Sequence, residues 1–417
     1  MTDRPLPPTW SLDRSTRSLS LDPRDPVFVQ DPYPAYAELH AQAPVFHWQQ
    51  YGHWCVARHA DVNTLLRDPR LGRQVLHVMS RAELGWPESP PHLAPFLDYE
   101  RHSLLELEPP AHTRLRTLVN RPFLQRVTER LRPRLESLAH ELVDRFAGQR
   151  EVELIEAFAT PLPVSAIAEV LGMPHSLSAP LLQWSDDIVA IYQARRDEAV
   201  EHRAARACEE FGACVREWIA VRRRTPGDDL LSALVASEAG GERLSDDELV
   251  STTMLFLIAG HEATVHAIGN GVKALLERGL DPSPVLASAD GAVRLAEELL
   301  RLDTPLHLFT RWVLEEMEWQ GVRLRRGDRV GLLLGAANHD PERFESPGEL
   351  YLDRTPNPHA SFGGGIHFCV GAPLARMELQ IALRVLFARL PGLAIAEPPR
   401  YRDTYHFRGL ESLRLSG

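Results

Sequence analysis

Residues 254–269, "MLFLIAGHEATVHAIG", are apolar on nearly every side of a helix. A helix without a polar face has to be surrounded by protein. The helical pattern extends over 246–279 and opens with Ser245 and Glu248 in capping-box spacing. This long segment should therefore run through the centre, with the other elements wrapped around it. A glycine and a glutamate, Gly260 and Glu262, interrupt it. Both are locally unfavourable inside an apolar helix, and such lapses tend to mark function.

The surroundings are also helical. From about 109 to 300 apolar residues recur at spacings of three and four. Upstream, 31–42 and 59–69 read as short helices, and 44–58 reads as a β-hairpin turning at Tyr51-Gly52. Residues 1–30 read as an extended N-terminal arm, and 70–107 as irregular. Strand-like pieces follow residue 312, then a proline-rich meander (341–358), a glycine loop and a last helix at about 371–390. No break divides the chain. The expected fold is a single domain over 1–417, mainly α with a minor β part.

Composition removes several function classes. The net charge of −11 argues against a nucleic-acid partner. Four cysteines in 417 residues are too few for a disulfide framework and suit a cytoplasmic protein. The first 26 residues are polar and rich in Pro and Arg, unlike a signal peptide or membrane anchor.

The loop at 359–376, "HASFGGGIHFCVGAPLAR", carries four glycines around one thiol. Glycines let the backbone approach sulfur and a flat ligand closely. Backbone N–H groups and the start of a helix then favour negative sulfur at Cys369. A zinc site using His367 and Cys369 is the other metal reading. It needs four ligands, and no second Cys/His pair has suitable spacing. Cys55, Cys208 and Cys214 read as small core residues. The glycines do not follow the strand and turn of a dinucleotide site.

Phe362-x-x-Gly365-x-His367-x-Cys369-x-Gly371 resembles the haem-binding signature of the cytochrome P450 family. The resemblance implies the P450 fold, with a long central helix over haem b (iron protoporphyrin IX). It implies Cys369 as axial iron ligand, Phe362 as the ring shielding the sulfur, and His367 as a propionate partner. Glu298 and Arg301 in "AEELLRLDTP" match the family's Glu-x-x-Arg pair, with Arg354 as a candidate third member. His112, Arg116 and Arg311 match propionate-binding positions; the plain alternative for the first two is a basic surface helix. In "LIAGHEATVHA", Ala259 and Gly260 would leave room for dioxygen, and Glu262 would relay protons. Threonine usually follows the acid; here Ala263 does, and Thr264 comes one position later, so its part in proton delivery is the open point. His261 and His266 read as packed helix residues.

The implied activity is that of a haem-thiolate monooxygenase, inserting one atom of O2 into a C–H bond of a lipophilic molecule. Terpenoid, carotenoid, polyketide and fatty-acid-like substrates all suit the apolar regions at 75–100, 173–200, 255–263, 306–308 and 405–407. Electrons should come from a separate ferredoxin and ferredoxin reductase, because the chain has no flavin motif. Arg114, Arg116, Arg121 and Arg126 suit an acidic electron-transfer partner. A peroxide-driven haem oxygenase and a non-enzymatic haem sensor are the competing functions.

Overall fold

The computed structural model describes residues 5–129, 131–192 and 196–417. The Arg126 side chain and residues 193–195 lie outside the described residues. The central element begins as expected. Ser245 Oγ accepts the Glu248 N–H at 3.2 Å, and Glu248 Oε2 accepts the Ser245 N–H at 2.8 Å. Every residue from Leu249 to Ile258 is buried. Around it pack helices Ala111–Glu129, Pro161–Leu171, Glu198–Arg224 and Ala372–Arg389, which share one large apolar core.

The expected single helix is two, Asp246–Ala259 and Glu262–Glu277. The break has a local cause. At Gly260 a Cβ would collide with the Phe256 carbonyl oxygen and stand 3.1 Å from Ile167. His261 leaves helical geometry (φ −120°, ψ −47°) and its Nδ1 donates to the Leu257 carbonyl at 2.7 Å. An imidazole thus satisfies a carbonyl at the interruption.

The β part is a seven-stranded sheet in the order Ser11–Asp13, Ser18–Ser20, Val45–Trp48, His53–Val56, Arg329–Leu333, Leu308–Val313, Leu71–Gly72. The hairpin forms with Val45 opposite Val56 and Trp48 opposite His53. Gly331 gives Cys55 its place, since a Cβ there would stand 2.5 Å from Cys55 Sγ. The N-terminal arm is not free. Its strands pair with each other, and the second pairs in parallel with Val45–Trp48. Arg408 fastens the arm from the far end of the chain, donating to the Val29 carbonyl at 2.7 Å and the Gln30 carbonyl at 3.0 Å. Its charge is met by Asp303, at 2.7 Å from Nε. The 70–107 segment is less irregular than its sequence implies, with helix at Ala94–Arg101.

The proline-rich meander is shaped by buried charge. Arg301 donates to both oxygens of Glu298, at 2.9 and 2.7 Å. The remaining Arg301 donors reach the carbonyls of Asn338, Pro347 and Glu349 at 2.7–3.0 Å. Glu298 also accepts from Arg354 Nε at 3.2 Å, Asn357 Nδ2 at 3.0 Å and the Tyr351 N–H at 3.0 Å. With side chains 0% and 1% exposed, both ions depend on this full set of partners. Replacing Glu298 by Ala strands Arg301 in the core. The variant is expected to lose about 3–5 kcal/mol of unfolding free energy, measured by chemical denaturation against the parent chain.

Candidate functional site

The cysteine loop turns on two left-handed glycines, Gly363 (φ +69°) and Gly365 (φ +66°). A side chain at 365 would also collide with the Leu66 carbonyl, so the loop can lie against the end of the preceding His59–Leu65 helix. A 3-10 turn at Gly365–His367 follows, and the Cys369 N–H returns to the Phe362 carbonyl at 3.0 Å. Three residues on, the Ala372–Arg389 helix begins.

Cys369 differs from the other cysteines. Cys55 and Cys208 are buried, Cys214 is only partly buried rather than the core residue expected, and Cys369 is exposed. Desolvation by the surrounding protein pushes its thiol up, opposed by the N–H groups of Gly371 and Ala372 and by the charges of Arg116 and Arg376. The loop dipoles lighten the cost of a thiolate without removing it. A metal held there would complete the deprotonation, because it binds the thiolate form. A Cβ at Gly371 would stand 3.7 Å from Sγ, an ordinary contact, so nothing in the distance to the sulfur itself requires glycine there.

The central helix opens just where its sequence changes. After a fully buried stretch, Ala259 is exposed, and Gly260 and Ala263 are partly so. These small residues leave the helix accessible beside its break.

Nearby lies a concentration of donors. His112 is 2% exposed and both of its ring nitrogens are buried without a hydrogen-bond partner. Burial, with His367 and Arg116 adding to it, pushes it down to about 4. Its ring is 4.5 Å from that of His367, whose Nε2 lies 3.3 Å from Glu108 Oε1. Arg311 is also buried, and its Nη1 donates to the neighbouring Thr310 carbonyl. Burial, joined by Arg73, pushes it down to about 9, against the pull of Glu108 and Glu106. Arg116 donates to the Phe368 carbonyl at 2.8 Å. Arg73, in the segment that read as irregular, joins the cluster: it pairs with Glu106 and keeps a buried, unpartnered Nε. Buried donors without acceptors are costly, and an anionic ligand relieves that cost. A thiol beside such donors fits a group carrying both a metal and carboxylates.

The two expected catalytic residues face different ways. Glu262 lies 3.9 Å from His266 Nε2. Burial opposes its charge, but His266, His261 and Arg402 together hold the carboxylate below its usual range. Thr264, two positions on and so about 200° round the helix, lies near Glu378, whose two carboxyl oxygens are buried without a hydrogen-bond partner. Glu378 sits on the Ala372–Arg389 helix and is 0% exposed. Burial pushes its carboxyl well above the carboxylate range, only partly offset by Thr264. The pair therefore sets an ionised acid on one side of the broken helix and a neutral one on the other. Glu378 was findable from sequence: it shares the inward face of Leu374 and Ile381, and a charge in an apolar face is what singled out Glu262. His261 and His266 are buried, as expected of packed residues.

The Cytochrome P450 family model matches residues 294–390. The polyketide biosynthesis cytochrome P450 PksS of Bacillus subtilis is 33% identical over 408 residues, 95% of this chain and 98% of that protein. The chain belongs to the cytochrome P450 family. The 6-deoxyerythronolide B hydroxylase of Saccharopolyspora erythraea is 35% identical over 404 residues, 94% of this chain and 97% of that one. Among solved structures, P450BioI in complex with hexadec-9Z-enoic acid ligated acyl carrier protein is similar at a TM-score of 0.85 and 33% identity, over 94% of this chain and 99% of that one. This P450 is accordingly an oxidoreductase with haem as its cofactor, and its fold is the mainly helical P450 fold. Among the described residues no helix is long and apolar enough to cross a membrane.

The donor set fits that cofactor, with a thiol for iron and, for two propionates, the buried Arg311 beside the unpartnered nitrogens of His112 and Arg73. His112→Leu and Arg311→Leu are each expected to speed haem loss about tenfold, followed by haem transfer to an excess of acceptor globin. Unchanged rates would remove these residues from the anion site.

Proposed function

We propose that this P450 monooxygenase inserts one oxygen atom from O2 into a C–H bond of a polyketide-like or fatty-acyl substrate. Cys369 is the iron ligand in this reading. His112, Arg116, Arg311 and His367 hold the propionates, and Phe362, Gly365 and Gly371 shape the ligand loop. Ala259 and Gly260 give the bound gas its space. The observation that carries the reading is the accessible thiol of Cys369, presented by the glycine loop at the start of a buried helix. The names of PksS and the 6-deoxyerythronolide B hydroxylase, and the acyl chain in the P450BioI complex, favour these substrates over the other lipophilic classes. Electrons are supplied by a ferredoxin and its reductase, and the unpaired cysteines suit a cytoplasmic setting.

When bound, haem supplies the oxygen-activating and C–H-cleaving chemistry. The chain supplies protons and excludes water. The neutral Glu378 holds a proton that the Thr264 hydroxyl can pass along by accepting on one side and donating on the other. Glu262, ionised and within the field of Asp186 and Arg402, accepts protons from the outer side of the helix. Ala263 carries no hydroxyl of its own, so the last carrier is water or a substrate hydroxyl.

Three measurements test this. The reduced, carbon-monoxide-bound protein should show a Soret band far to the red, lost in Cys369→Ser. A histidine-type spectrum in the parent chain would overturn the ligand assignment. With surrogate ferredoxin and reductase, NADPH consumption should match product formation. Glu378→Gln and Glu262→Gln should each lower product formation about a hundredfold, with more reducing equivalents lost to hydrogen peroxide. The turning of Thr264 away from Glu262 favours a second reading, a peroxide-driven oxygenase. Product formation with hydrogen peroxide alone, at the rate of the full electron chain, would select it.

A further inference from the structure

Phe362 is more than a ring beside the sulfur. The Arg376 guanidinium lies over its face, 4.4 Å from the ring centroid. Arg376 belongs to the helix that starts just after Cys369, and the Cys369 N–H is bonded to the Phe362 carbonyl. The cation, the ring and the ligand loop are thus one contiguous unit.

The cation is held in place on its other side. Arg376 Nε and Nη2 donate to the two oxygens of Glu297 at 2.6 and 2.9 Å. Glu297 Oε2 also takes a hydrogen bond from His359 Nε2 at 3.1 Å. The tautomer of His359 is defined, because its Nδ1 accepts the Ser361 N–H at 3.3 Å. The His359 ring is 5.8 Å from Phe362 and its side chain is 2% exposed. A bidentate fork fixes a guanidinium in orientation as well as distance, so the charge cannot swing away from the ring.

We propose that Arg376, oriented by Glu297 and His359 and stacked on Phe362, is a positioning residue that sets the reduction potential of the haem bound at Cys369. A ferric haem with a thiolate ligand gains one negative charge on reduction. A nearby cation favours that reduced state and a nearby anion opposes it. Charges outside the ligand set are an established lever on such centres. The arrangement carries both signs: Arg376 stands next to the loop, and Glu297 behind it balances part of the cation's effect.

The inference rests on Cys369 as ligand, so the carbon monoxide spectrum of the parent chain is read first. Without the red-shifted thiolate band the ligand assignment itself falls, and this inference with it. With the band present, the haem-loaded full chain is titrated spectroelectrochemically. At the parent's midpoint potential, Arg376→Gln is expected to lower the ferrous-to-ferric ratio by about threefold or more. Glu297→Gln should raise it by a similar factor, since the cation is then unopposed. Arg376→Lys, which keeps the charge, should stay within about twofold of the parent. A merely structural role would move the Arg376→Gln and Glu297→Gln variants in one direction or leave both unmoved, and either result overturns the proposal. If Arg376→Gln fails to load haem, Glu297→Gln decides alone: a raised ratio supports the role of Arg376, and an unchanged or lowered one ends it.

Discussion

The Glu298 carboxylate, buried between two arginines, is the interaction on which the site hangs. It holds Arg301 within its own helix and reaches Arg354 and Asn357 in the meander. The chain that leaves this anchor is pinned again at once. Ser361 Oγ donates to the Leu300 carbonyl at 2.8 Å, and Asn338 accepts the Ala360 N–H at 2.7 Å. The neighbouring Glu297 takes His359 and Arg376. Residues 297–301 of one helix therefore fix the approach to the cysteine loop, the loop's first residues and the helix beyond it. A loop rich in glycine has little conformational preference of its own. Its definition comes from the charged turn that grips both of its ends.

What was legible in the sequence was local. The hairpin at 44–58 is written in one alternating run with a glycine at its turn. The capping box at Ser245 and Glu248 needs only four residues. Glu298, Arg301 and Arg354 could be named together because the resemblance supplied a pairing that spacing alone could not. The rest depended on partners distant in the chain. The N-terminal arm forms strands because another hairpin offers it an edge, and the short helix that ends it, Pro26–Gln30, is tied by Arg408, nearly four hundred residues on, through two of its carbonyls. Arg73 and Glu108 sit in a segment without periodicity, and only the fold brings them to His367 and Arg311. The helix break escaped the apolar pattern because that pattern continues straight through it. Its cause is one imidazole bonding one carbonyl, which leaves hydrophobic spacing unaltered.

The two acids beside the break differ in burial and in protonation: Glu262 is partly exposed and ionised, Glu378 fully buried and neutral. Glu262 has histidines and an arginine within its field; Glu378 has a hydroxyl. Environments that push two carboxyls apart are how two packed helices can offer a proton acceptor and a proton donor at the same pH. Thr264 and Glu262 lie on different sides of the helix, so in the proposed mechanism the two acids serve separate paths rather than one.

The interruption at Gly260 and His261 has an electrostatic consequence as well. An unbroken helix has its partial charges only at its far ends. Two helices in series bring a negative C-terminal end, at Ala259, and a positive N-terminal end, at Glu262, into the middle of the protein. Glu262 is the first residue of the second helix, where an anion is favoured by the free N–H groups around it. The break therefore creates a short internal dipole step, and the ionised carboxylate stands on its positive side.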